Sequence, residues 1–244
     1  MSVLPGPSKL DFIPWDFTSE DHIQRAYLQR FACGWRWWEL DDWVKANKAG
    51  KMMVYWLVLT DEVPDREAQV ATHIARYPKE SLPLTDTAPQ SWLNTPRTPT
   101  NRLLKPIGHV ALTLQSAQDL TPLGLDPSST KAASIGKLYV SYALQSHGYG
   151  GLAMRAVETI AKHQLGCDMC ILDTLVEEFQ MRRDVMERWY TAGGNPLPKI
   201  SNQAWYIKMG YEIFHKDEKG YLHTHADDGS QEYLPVAYFR KMLT

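Results

Sequence analysis

Apolar residues at helical spacing open the chain and give way to runs that are apolar at every position. Thr18 to Asp21 places a carboxylate three residues after a hydroxyl, as in a capping box, and Ile23, Ala26, Tyr27 and Phe31 follow at i, i+3, i+4 intervals. Leu40, Trp43 and Val44 repeat that pattern behind Asp41 and Asp42, and Gly50 marks its end. Met52 to Thr60 is apolar on both faces, which predicts a strand that is central or covered on both sides. From 61 to 106 the pattern weakens under Pro64, Pro78, Pro83, Pro89, Pro96, Pro99 and Pro106, and only Ala68 to Arg76 suits a short helix. A loop that long is uncommon inside a domain, so the segment reads as a lid or a substrate-side insertion.

Strand character returns over Ile107 to Leu114, and Leu120 to Thr130 is a loop rich in Pro, Gly and Ser. Ser134 to Val140 predicts the next strand, and a glycine-rich turn follows it. Leu152, Ala153, Ala156, Val157, Ile160 and Ala161 then define one helical face that Gly166 closes, before an apolar strand from Cys167 to Leu175. Val176, Phe179, Met186, Trp189 and Tyr190 predict a further helix ended by Gly193, and 176–201 reads as a second insertion. Val185, Met186 and Trp189 in it suit a homodimer contact or an intrachain one equally. Asn202 to Met209 predicts a short helix stopped by Gly210, and Tyr211 to His215 and Val236 to Lys241 predict late strands.

Composition narrows the class. The 244 residues are 44% apolar and 22% charged, enough to build one core, and no repeat divides residues 1–244, so a single domain is expected. A net charge of −2 without a basic block argues against nucleic acid as a partner. The longest apolar run, Met52 to Leu59, is far shorter than the roughly 20 residues that span a bilayer, so no membrane partner is expected. Nothing at the start resembles a secretion signal, which makes the expected compartment cytoplasmic. Cys33, Cys167 and Cys170 are too few for a disulfide framework. Cys167 and Cys170 spell Cys-x-x-Cys, but in a strand they point to opposite faces, as core thiols. His223 and His225 share one side of a strand with no obvious third ligand, so no metal is expected. Trp35, Trp37, Trp38 and Trp43 read as core, with an acceptor pocket as the alternative.

Candidate chemistry centres on Gln145, Ser146, His147, Gly148, Tyr149, Gly150 and Gly151. Glycines at a helix N-terminus bring unpaired N–H groups close to an anion, usually phosphate, with no Cβ in the way. No Lys-Ser or Lys-Thr follows, which excludes a Walker A loop. One reading is a dinucleotide fingerprint, Gly148-x-Gly150-x-x-Ala153, with Asp173 at the right distance for a ribose and an NAD(P)-dependent oxidoreductase as the outcome. Residues 141–147 intervene between strand and glycine, which that fingerprint does not favour.

The other reading is a family resemblance. Gln145-x-x-Gly148-x-Gly150, led by the strand Ile135 to Val140, resembles the pyrophosphate loop of the GNAT superfamily of acyl-CoA N-acyltransferases. Asn202 to Tyr206, then Gly210-Tyr211, is similar to that family's later segment. The resemblance implies an α/β (α+β) fold with a mixed, mostly antiparallel sheet flanked by helices. Its middle strands, 134–140 and 168–175, would splay to admit pantetheine.

The resemblance further implies acetyl-CoA, or a longer acyl-CoA, as co-substrate and a primary amine, expected to be a small molecule, as acceptor. Leu138, Tyr139 and Val140, the glycine loop, Asn202 and Tyr206 would hold the cofactor. Val140 would offer its N–H to the oxyanion, and Tyr206 would protonate the departing thiolate. Asn202 stands one turn before Tyr206 where the family commonly has two. For the general base, His109, Asp173, Glu177 and Glu178 stay open, as does a water chain. A non-catalytic acyl-CoA-binding protein on the same fold is the rival from outside enzymology.

Overall fold

Residues 8–224 and 229–244 are described by the computed structural model. In chain order the elements are β1 (Leu10–Pro14), α1 (Glu20–Cys33), α2 (Leu40–Lys48), β2 (Met52–Leu59), α3 (Arg66–Arg76), β3 (Leu84–Thr85), β4 (Leu103–Leu104), β5 (Gly108–Leu114), α4 (Ala117–Leu120) and β6 (Ala132–Val140). They continue with α5 (Tyr149–His163), β7 (Met169–Leu175), α6 (Glu177–Gln180), α7 (Arg183–Met186), α8 (Asn202–Lys208), β8 (Glu212–Thr224) and β9 (Gln231–Met242). Seven strands form a mixed, mostly antiparallel sheet in the order β1-β2-β5-β6-β7-β9-β8, and helices flank it, as the sequence led one to expect. No helix among the described residues is long and apolar enough to cross a membrane.

The chain divides into two compact units, one of residues 1–114 and 135–157 and the other of 115–134 and 158–244. In the first, β2 is central, pairing with β1 from Leu10↔Leu59 and with β5 from Met52↔Thr113, and it is buried along almost its whole length, as a strand covered on both faces is. Its core gathers Trp15, Trp43, Val54, Trp56, Leu57, Ile107 and Leu112. The expected capping box at α1 is not made. Ser19 occupies the N-cap with no side-chain bond, while Thr18 Oγ1 donates to Asp16 Oδ1 at 2.6 Å.

The proline-rich 61–106 segment is not an irregular loop. It carries α3 and the small β3–β4 pair, and it is fastened by buried polar groups that a hydrophobicity pattern does not reveal. Asp86 receives both Arg97 guanidinium nitrogens at 2.6 and 2.8 Å, and Arg25 Nη2 donates to the Leu82 carbonyl at 2.5 Å.

In the second unit, β9 pairs with β7 from Met169↔Met242 to Leu175↔Val236 and with β8 along its other edge. Leu120, Ala132, Met169 and Ile171 form a buried cluster covered by Leu123, Leu125 and Phe214. The Tyr211 hydroxyl and the Lys241 ammonium both donate to the Glu158 carboxylate, each at 2.8 Å. The helix expected over 176–190 is broken instead. Arg182 adopts an extended backbone between α6 and α7, with its guanidinium 5.0 Å from the Phe179 ring centroid, and a π-helical turn spans Glu187–Thr191. Val185 is buried and Trp189 packs on Phe179 within the unit.

Candidate functional site

In the second unit the parallel ladder between β6 and β7 covers Ala132↔Met169, Ala133↔Cys170 and Ser134↔Ile171. Farther along β6, in the first unit, Lys137 has φ +56, a left-handed conformation inside a strand of the kind that some bulges contain. A non-glycine residue there is strained by roughly 1–2 kcal/mol. Its side chain is held by Glu39 Oε2 at 2.9 Å and lies 5.6 Å from the Trp43 ring centroid. Leu138, Tyr139 and Val140 follow Lys137 to the end of the strand.

Gly108 on β5 approaches this strand end closely. A Cβ on it would stand 2.1 Å from the Tyr139 carbonyl oxygen and 3.0 Å from Val140 Cα. Leu138 and Val140 are half-buried, whereas the Tyr139 ring turns into the core with its centroid 5.6 Å from that of His109. Only the backbone of Tyr139 is therefore available to a ligand, which corrects any role for its side chain.

After a short turn, Gln145, Ser146, His147 and Gly148 are exposed, with Ser146 at φ +70 and Gly148 at φ +81. Helix α5 starts at Tyr149, and its first backbone bond runs from the Leu152 N–H to the Gly148 carbonyl at 3.1 Å. The amides of Tyr149, Gly150 and Gly151 precede that bond at the positive end of the helix dipole. Open space surrounds the missing Cβ of Gly148, and Arg155 Nη1 would lie 3.4 Å from a Cβ on Gly151. Amides, dipole, absent side chains and a guanidinium together fit a pyrophosphate. The Tyr149 ring is buried, its hydroxyl donating to Gln69 Oε1 at 2.6 Å, so it anchors the loop while its N–H stays with the helix start.

In the second unit, Tyr206 on α8 is half-buried among Trp205, Tyr211 and Phe239. Burial, and next to it the charge of Asp173, raise its pKa above the ordinary phenol value. Asp173 on β7 is half-buried, accepts a hydrogen bond from the Tyr221 hydroxyl, and stands opposite Tyr238, which in turn stands opposite His215. Asp173 also raises the Tyr238 phenol, after burial. A carboxylate bordered by Tyr206, Tyr221 and Tyr238 emerges, of which the sequence pointed only to Asp173 and Tyr206.

The remaining candidates have other surroundings. His109 is fully buried, with Nδ1 2.8 Å from Gln29 Oε1, and burial followed by the Arg30 charge holds its pKa well below the usual imidazole value. It is a neutral core histidine, which removes it as a base. Glu177 and Glu178 occupy the first turn of α6. Asn202 is exposed at the start of α8, where Ser201 makes the cap, and its backbone N–H donates to Gln180 Oε1 at 2.8 Å.

His223 packs on Trp189, and His225 lies outside the described residues. No group of three or more His, Cys, Asp or Glu among the described residues could hold a metal ion. Of the four clustered tryptophans only Trp43 is core, and Trp38 is 48% exposed beside Trp37 and Phe31.

Sequence reading missed Gly108, Lys137 and Arg155. A lone glycine inside a strand signals a close backbone approach, so the first was findable. The other two had no signal.

The model of the acetyltransferase (GNAT) family matches residues 51–188, more than half of the chain, and the protein belongs to that family. Among solved structures it is similar to Arabidopsis thaliana NAA60 in complex with a bisubstrate analogue, with 12% identity, TM-score 0.52, and coverage of 96% of this chain and 99% of that one. The same NAA60 with acetyl-CoA gives 12% identity and a TM-score of 0.51 over 96% and 98% of the two chains. A chimera of the spermidine N-acetyltransferase SpeG from Vibrio cholerae with hSSAT gives 9% identity and a TM-score of 0.53 over 97% and 96%. At such identities the likeness is one of fold. No curated protein matches the sequence. The family and the antiparallel sheet overturn the dinucleotide reading of Gly148, Gly150 and Asp173.

Proposed function

We propose that this protein transfers the acetyl group of acetyl-CoA to the primary amine of a small molecule, directly, with both substrates bound. The observation that carries the reading is the left-handed Lys137 in β6 followed by the exposed Gly148 and the amides that begin α5. A fold neighbour solved with acetyl-CoA supports that donor. Acetyl-CoA supplies an activated thioester; everything else falls to the chain. The amides of Tyr149, Gly150 and Gly151, with Arg155, bind the pyrophosphate. The Val140 N–H donates to the carbonyl oxygen as negative charge develops there, a contribution of about 3 kcal/mol where such a donor has been removed.

Tyr206, in the second unit, stays protonated at neutral pH, the form that can donate a hydrogen bond to a leaving sulfur. With its pKa above that of a thiol, about 8.5, it stabilises the thiolate without surrendering the proton outright. Asp173, in the second unit and bordered by phenol rings, suits an ammonium ion and takes from it the proton that must leave before the nitrogen attacks; the proton shed as the C–N bond forms goes to the departing thiolate, so that coenzyme A leaves as the thiol. That pairing is what favours a small cationic amine as acceptor.

Titration calorimetry with acetyl-CoA, on the wild type and a Gly148→Glu, Gly150→Glu double variant, tests the donor; an amine panel with detection of released thiol tests the transfer. Micromolar binding abolished by the variant, with amine-dependent thiol release, is expected. Binding without release across the panel would make the protein a non-catalytic acyl-CoA binder.

A further inference from the structure

We infer that His73 and Glu80 are positioning residues for the Val140–Ser141 end of β6, and that the 66–80 stretch of the proline-rich segment serves to hold that strand end in place. The inference rests on the reading that the Val140 N–H meets the thioester oxygen.

Ser141, His73 and Glu80 are 0%, 0% and 1% exposed. Ser141 Oγ lies 2.9 Å from His73 Nδ1, and His73 Nε2 lies 3.4 Å from Glu80 Oε2. His73 Nε2 makes no hydrogen bond among the described residues, but a carboxylate 3.4 Å away favours the tautomer that carries the proton there, which leaves Nδ1 to accept from the Ser141 hydroxyl. Glu80 is itself fixed: Gln29 Nε2 donates to it at 2.9 Å and Arg25 Nε stands 3.9 Å away. Gln29 also donates to the Pro106 carbonyl at 3.0 Å and meets His109 Nδ1 at 2.8 Å, so the chain of contacts returns to β5.

Buried polar and charged groups joined in one network are an expensive way to gain stability, since packed apolar side chains of the same volume usually do as well. Their geometry accounts for them better. Lys137 holds a strained left-handed conformation inside β6, so the strand end beyond it gains from being held by neighbouring elements. On one side the Ser141 N–H donates to the Ile107 carbonyl at 2.8 Å and Gly108 presses its bare Cα against Tyr139 and Val140. His73 is the other side of that grip. Small displacements of a catalytic donor are costly, roughly a hundredfold for about 1 Å, and a clamp on the residue next to the donor prevents them.

The two imidazole nitrogens can be tested separately, because Asn reproduces the reach of Nδ1 and Gln that of Nε2. Acetyl-CoA isotopically labelled at its thioester carbonyl is bound to the wild type, Ser141→Ala, His73→Gln and His73→Asn, and the carbonyl stretch is read by difference infrared spectroscopy beside the melting temperature. In the wild type the band is expected at lower frequency than in free acetyl-CoA. Ser141→Ala and His73→Gln should return it toward the free position and slow thiol release by roughly ten- to a hundredfold, while His73→Asn rescues the band. A band in His73→Gln that matches the wild type, or losses in the Gln and Asn variants that merely follow their melting temperatures, overturns the inference. If neither His73 variant folds, Ser141→Ala, which removes one hydroxyl, decides by the same band. A wild type that binds no acetyl-CoA, or binds it with an unshifted carbonyl, sinks the parent reading instead and this one with it.

Discussion

Replacing Gly108 by alanine should be the most damaging single methyl group that can be added to β5. The new Cβ would stand 2.1 Å from the Tyr139 oxygen and 3.0 Å from both the Tyr139 carbonyl carbon and Val140 Cα. Relaxed carbon–oxygen contacts lie at about 3.3 Å or more, so the overlap exceeds roughly 1 Å. All three obstructing atoms are backbone, and no rotamer change relieves them. Overpacking against movable side chains costs about 1–3 kcal/mol, and with backbone walls the upper figure is the floor. At about 2–4 °C per kcal/mol for a chain of this size, the melting temperature should fall by roughly 6–12 °C.

The control lies in β6 itself: Gly136 has nothing within 4 Å of its missing Cβ, so Gly136→Ala should stay within about 0.5 kcal/mol of wild type. Thermal unfolding followed by circular dichroism, with calorimetry of acetyl-CoA binding on the folded fraction, reads both. A Gly108→Ala protein melting within about 2 °C of wild type would refute the close approach of β5 to the end of β6, and with it one side of the proposed clamp.

Asp86→Asn should destabilise the protein by ~2 kcal/mol, because burial pushes the carboxyl up but Arg97 and Thr100 outweigh it and hold the pKa at about 2. In the wild type that contribution is complete above the unfolded value of about 4 and lost as the pH falls toward 2; an acid titration of Asp86→Asn that matches the wild type would contradict it. His22 and His109 both sit below the ordinary imidazole pKa, chiefly through burial. Unfolding therefore takes up protons, and the melting temperature should be highest above about pH 6.5 and decline below it; a midpoint constant from pH 7 to 5 would count against neutral, buried imidazoles. Gly148→Ala meets no obstruction but must hold φ +81, so a loss of about 1 kcal/mol is expected from chemical denaturation, and none would mean the loop relaxes freely.

Periodicity and punctuation placed most of these elements. Met52–Leu59 could only be a doubly covered strand, and the glycines before Leu152 could only open a helix, so the central unit of strand, loop, helix and strand was legible. Three kinds of information were not. β8 runs on past His215, where the predicted strand stopped, to Thr224, because an irregularity between Asp217 and Tyr221 lets the strand resume. The 61–106 segment is ordered by buried ion pairs and hydrogen bonds, whose partners lie far apart in sequence, as Gln29 and Glu80 do. The choice among bases needed tertiary contacts: only the structure puts His109 in the core and Asp173 among phenols.

The three thiols carry a practical consequence for anyone following coenzyme A release with a disulfide reagent. Cys167 and Cys170 are buried, and burial raises both, Cys170 to about 12 with Glu158 adding to the rise. At pH 8 a thiol of that pKa is ionised in about one molecule in ten thousand, and the thiolate is the reacting form. Cys33 is only half-buried. A folded sample should therefore consume a single equivalent of reagent and then fall silent, leaving the product thiol as the whole signal, whereas unfolded chains consume three. Labelling stoichiometry thus grades each preparation before any substrate is added, and Cys33→Ser would lower the background to zero.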